Sequence, residues 1–140
     1  MGDNKIFEDE FMDIQTRIIS LCLELLSNAG KEADKIYAYL FQNDDEDYID
    51  AFFEKEGKLY TTNDLFSEDE IDAFFDCGVE DIESMIELCK ANNVKCPHEF
   101  KLQYNINTKS FDSNYNYENV TEVRNKFVID LAKEWCESLK

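Results

Sequence analysis

The 140-residue sequence holds one histidine, one proline and four glycines, and only 14 lysines and arginines stand against 32 aspartates and glutamates. Each shortage excludes something. A single histidine, His98, announces no Ser-His-Asp triad, and four glycines leave no Gly-rich loop to cradle a phosphate. No stretch approaches the ~18 consecutive apolar residues of a membrane span. The opening MGDNKIFEDE lacks the basic and apolar regions of a secretory signal, so a cytoplasmic protein is expected. Gly2 follows the initiator Met, but Ile6 stands where a myristoylation signal carries Ser or Thr. The deficit of cations leaves a net charge of −18, which repels phosphate backbones and anionic membranes and favours a basic partner.

What is present suits one folded domain spanning residues 1–140. Hydrophobic residues make up 44% and aromatic residues 14%, enough to build a core. The five cysteines, Cys22, Cys77, Cys89, Cys96 and Cys136, are odd in number and sit within apolar patterns, which fits reduced, partly buried thiols better than a disulfide framework. No linker, internal repeat or low-complexity tract is present.

From residue 6 to 29, Phe7, Phe11, Ile14, Ile18, Leu21 and Leu25 recur at spacings of three and four, the stripe of a long helix stopped at Asn28-Ala29-Gly30. The period then becomes two. Residues 35–42 and 48–55 read as strands, and Glu56-Gly57-Lys58 turns the chain into a third strand over 59–61. Ser67 and Glu70 form a capping-box signature for a short helix carrying Ile71, Phe74 and Phe75, which Gly78 is expected to end. A second helix is expected from Val79 to about Asn92, until Pro97 breaks the pattern. EFKLQYNI and SFDSNYNY alternate as a second hairpin about Asn107-Thr108-Lys109. Asn119 and Glu122 can cap a last helix with Val120, Val123, Phe127, Leu131 and Trp135 inward. The expectation is an α+β fold in the order α-β-β-β-α-α-β-β-α, an antiparallel meander of about five strands with helices packed mainly on one face.

Two metal motifs can be weighed. NDDEDYIDAFFE places Asn43, Asp45, Asp47 and Glu54 at positions one, three, five and twelve of a calcium loop. Position six, which needs glycine, is Tyr48, and the flanks read as strands where the motif needs helices. An acidic hairpin tip is the better reading. Cys89, Cys96 and His98, with Cys77 as a fourth, could ligate zinc, but their spacing matches no paired-ligand pattern. No metal, no cofactor and no catalytic residues are expected.

The charge has a location. Residues 44–87 carry 17 acidic and 2 basic side chains, a balance of −15, while the remaining 96 residues carry 15 and 12. Solubility needs a net charge of only roughly 2 to 8. The excess points to a cationic partner, and the residues assigned to that contact are Asp44, Asp45, Glu46, Asp47, Asp50, Glu68, Asp69, Asp72, Glu80 and Glu83. Tyr37, Tyr39 and Phe41 share one face of the first strand, and Tyr48 and Phe52 share one face of the second with Asp50 and Glu54. These aromatics are either anchors for Lys and Arg or, as such stripes more often are, core.

The segment KIYAYLFQNDDEDYIDAFFEKEGKLYTTNDL, the later IELCKANNVKCPHEFKLQYNINTKSFDSNYNYE and a terminal helix with Trp135 together resemble the YezG-like immunity proteins of Gram-positive bacteria. The resemblance runs from about Ile18 to the C-terminus, with Pro97, Glu99, Lys101, Leu102 and Tyr104 carrying the Pro-x-Glu-x-Lys-Leu strand. It implies a small cytoplasmic antitoxin that neutralises a cognate toxin, often a nuclease exported by the type VII pathway. It supplies no contact residues; those above rest on charge. The alternative is an acidic nucleic-acid mimic that regulates a basic DNA-binding protein.

Overall fold

The strand KIYAYLFQ is apolar on both sides of its pleat because both of its faces are covered. In the computed structural model, which describes residues 2–140 and their side chains from Ile6 onward, this strand, β1 (Lys35–Gln42), lies at the centre of a five-stranded sheet. It pairs with β2 (Asp47–Lys55) on one side and β4 (Glu99–Asn105) on the other. β3 (Lys58–Thr61) and β5 (Phe111–Asn116) are the edges, and every pairing is antiparallel. The protein is an α+β fold with sheet order β3-β2-β1-β4-β5.

Pleat parity divides the core in two. Ile36, Ala38 and Leu40 of β1, Ile49, Ala51 and Phe53 of β2, and Phe100 and Leu102 of β4 meet α1 (Gly2–Asn28) and α3 (Glu68–Ala91). From the opposite side Tyr37, Tyr39, Phe41 and Phe52 pack under α5 (Val128–Ser138), through Leu131, Ala132, Trp135 and Cys136. The two long helices therefore share one face, and the C-terminal helix covers the other. All five cysteines are free, with only Cys77 exposed. Among the described residues no helix is long and apolar enough to cross a membrane.

Two expectations need correction and one helix is additional. Gly78 does not end a helix; residues 68–91 form one continuous α3, opened by the Ser67–Glu70 capping box. Gly78 is buried where α3 crosses β2, and a Cβ there would meet Ile49 Cδ1 at 2.6 Å, so its missing side chain sets the helix-to-sheet approach. A short α2 (Thr62–Leu65) precedes it, capped by Thr61 and Asp64, a pairing the sequence reading passed over. Finally, the last helix is two pieces, α4 (Val120–Val123) and α5, divided by Asn125 in the left-handed region at φ 52°. Phe127 becomes the residue before α5 and is 78% exposed, and Val123 is 64% exposed, so neither joins the stripe of Leu131 and Trp135.

Candidate functional site: an acidic groove between a hairpin tip and a helix

The β1–β2 hairpin closes through Asn43 to Glu46. Asn43 folds its side chain back into the loop, Oδ1 accepting from the amides of Asp45 at 2.9 Å and Glu46 at 2.8 Å. Such an Asx turn fixes the backbone without using the neighbouring carboxylates. Asp44, Asp45 and Glu46 are consequently exposed, and Asp47 is half-buried at the strand entrance.

The tip faces α3. Phe74, Gly78, Ile82, Met85 and Cys89 define the helix's inward side. At 3.6 residues per turn, Glu68, Asp72, Asp76 and Glu83 then fall on the flank of Phe75 and Ile86, the flank toward the hairpin, where Phe75 packs edge-on against Tyr48 at 5.9 Å. Burial and the nearby Glu83 push the Asp47 carboxyl above its ordinary range. Asp69 and Glu80 are exposed on the outward side of the same helix, continuous with this strip. Asp81, on the flank toward α1, is the one α3 acid in an ion pair among the described residues, with Arg17 at 3.1 Å.

Between tip and helix lies a groove of about 590 Å³, lined by Asn43 to Asp47, Ile86, Cys89, Lys90, Val94, Lys95, Cys96 and His98. Its lining is acidic at the tip, apolar at Ile86 and Val94, and basic at Lys90 and Lys95. His98 donates from Nδ1 to the Gln42 carbonyl at 2.8 Å, which fixes its tautomer. Burial raises the thiols of Cys89 and Cys96, leaving them protonated and poor nucleophiles.

The structure brings Asp44, Asp45, Glu46 and Asp47 beside Glu83, with Glu80 one turn back, while Asp72, Asp69 and Glu68 run away along α3 toward its N-terminus, Glu68 roughly 22 Å from Glu83; none of the nine is in an ion pair among the described residues. It separates Asp50. That carboxylate lies on the face under α5, opposite Tyr39, bonded to the Ala51 amide at 2.8 Å and the Tyr48 hydroxyl at 3.3 Å, with its proton affinity raised by burial. Of the two readings of the aromatics, the core one holds. Tyr37, Tyr39, Phe41 and Phe52 are buried around Trp135, and the Tyr39 hydroxyl donates to Glu99 at 2.5 Å. The groove's apolar and lysine lining was not read from the sequence; only its position beside the tip marks it.

The calcium motif is spread out, and of the zinc set Cys89, Cys96 and His98 line the groove while Cys77 does not. Glu54 pairs with Lys35 seven residues along an extended strand from Asp47, roughly 23 Å away. Cys77 lies twelve residues from Cys89 on one helix, roughly 18 Å. Among the described residues no three His, Cys, Asp or Glu side chains are grouped to hold an ion. In comparisons with known proteins, no family model and no curated protein matches the chain.

Proposed function

We propose that the chain is an immunity protein, which binds a basic toxin one to one and holds it inactive without catalysis. The observation that carries this reading is the strip of mostly exposed carboxylates along the tip and the adjoining flank of α3, without ion pairs among the described residues. A protein that folds for its own sake disperses or pairs such charge, because the self-repulsion opposes compactness. The resemblance to YezG-like proteins supplies the class of partner, a secreted nuclease. A nuclease must attract phosphate, so its cleft is cationic, and a rigid row of carboxylates can occupy that cleft and displace nucleic acid. The groove adds Ile86 and Val94 as apolar contacts beside the acidic tip. Protection of a producing cell would place the protein in the cytoplasm.

The test is co-expression with toxins encoded beside its gene. The expected result is a one-to-one complex that survives size exclusion at 0.15 M salt and has lost nuclease activity. Failure to capture any neighbouring toxin rejects the reading. Binding to unrelated basic proteins, abolished by moderate salt, would mark the nucleic-acid mimic instead.

A further inference from the structure

We propose that β5 is the pairing edge of a two-fold symmetric dimer of this chain. The opposite edge, β3, is four residues long and runs directly into α2. β5 is six residues long, carries no proline or lysine, and is half-buried to exposed along its length. Natural proteins normally blunt such an edge or use it.

The ladder shows which groups are free. The Asn105 amide donates to the Ser110 carbonyl at 2.9 Å, so in the β4–β5 register the even residues 110, 112, 114 and 116 turn their backbone toward β4. The amides and carbonyls of Phe111, Ser113 and Tyr115 therefore point outward, and among the described residues nothing bonds to them. Three outward residues centred on Ser113 are self-complementary. Two copies related by an axis at Ser113 place Phe111 opposite Tyr115 of the second copy and Asp112 opposite its Asn114. About six main-chain hydrogen bonds result, with an aromatic pair on one face and no like charges opposed on the other. On α1, Met12 lies on the flank turned away from α3, is 42% exposed, and adds apolar surface along the same edge.

The register, symmetric about Ser113, selects a second copy for this edge, and charge directs that copy away from the β2 side. The acidic strip sits on the β2 side of the sheet, and a chain of −18 repels its own copy there. In a continuous sheet joined at β5 the two β2 strands stand seven strand spacings apart, about 34 Å, several times the ~8 Å screening length at physiological salt. The strips then face opposite ways, leaving both free for other partners.

Sedimentation velocity over a concentration series of the full chain tests this. The expected species has twice the 16.5 kDa chain mass. Asn114→Asp sets like charges opposite Asp112 of the second copy, yet within one chain it faces Lys101, so the folded monomer is not harmed. It should weaken the dimer by about tenfold with an unchanged urea midpoint. Asp112→Lys combined with Asn114→Asp should restore it, a rescue that depends on this register. A monomer at every concentration up to about 0.5 mM, a dimer indifferent to Asn114→Asp, or a double variant without rescue overturns the proposal. So does an edge occupied only when another protein supplies the strand.

Discussion

Gly78 of α3 and Ile49 of β2 are in direct apposition, the bare Cα of one facing the branched side chain of the other. A Cβ on Gly78 would lie 2.6 Å from Ile49 Cδ1 and 2.8 Å from Cγ2. In a free helix Gly→Ala gains roughly 1 kcal/mol. Here the intruding methyl meets both branches of a buried side chain, and overpacking of that kind costs roughly 1 to 3 kcal/mol. Gly78→Ala is thus expected to destabilise by about 1 kcal/mol net in urea unfolding. Ile49→Ala removes the obstruction, so a double-mutant cycle should show Gly78→Ala turning neutral or stabilising in that background.

A second prediction concerns pH. Asp47 has its proton affinity raised in the fold, by burial first and by Glu83 second. The folded state therefore holds more protons than the unfolded chain between the ordinary aspartate value near 3.9 and the raised value. Stability falls as pH rises through that window and stays lower at neutral pH. Asp47→Asn should raise the urea midpoint at pH 7 and give no gain at pH 3, where the carboxyl is protonated in both states. A partner that needs Asp47 charged would bind the variant less well, so a more stable but weaker binder is expected.

The tip itself separates fold from function. Asp44, Asp45 and Glu46 are exposed, and their loop is held by Asn43. Replacing all three with Lys should move unfolding stability by less than about 1 kcal/mol. The same change should abolish toxin binding if the strip is the contact, and single replacements should weaken binding and flatten its dependence on salt. Asn43→Ala is the complementary control, expected to cost about 1 kcal/mol by freeing the Asx turn while leaving every charge in place.

These contrasts show what was legible in the sequence. The strands were, because β4 alternates and β1 and β2 are short runs rich in apolar and aromatic residues bounded by turn residues, and short turns dictate antiparallel pairing of β1 with β2, β2 with β3 and β4 with β5; the pairing of β1 with β4, across α2 and α3, was not. Gly78 misled because a helical glycine reads the same whether it stops a helix or admits a neighbour, and the neighbour, Ile49, is 29 positions away. The acidic segment was visible as charge. That Asp47 would face Glu83 was not, since it depends on how α3 docks across β2. Asp50 lies apart from the other acids, and its parity with Phe52 already placed it on the inner aromatic face.

The clearest consequence of that two-sided core lies in α5. Trp135 contacts Tyr37, Tyr39 and Phe52, with ring centroids 5.9, 6.1 and 6.1 Å away, and Lys101 lies over its ring. Phe127, eight residues earlier in the same sequence stripe, is exposed. Trp135→Ala should cost about 3 to 5 kcal/mol, a large share of the ~5 to 15 kcal/mol that holds a small domain together, whereas Phe127→Ala should stay within about 0.5 kcal/mol. Trp135 is the only tryptophan in the chain, so its fluorescence reports this helix alone. If α5 is an integral cover of the sheet, the fluorescence change in urea coincides with the loss of helical circular dichroism. A fluorescence transition well ahead of it would mean that α5 detaches first and that the second core contributes little to the rest of the fold.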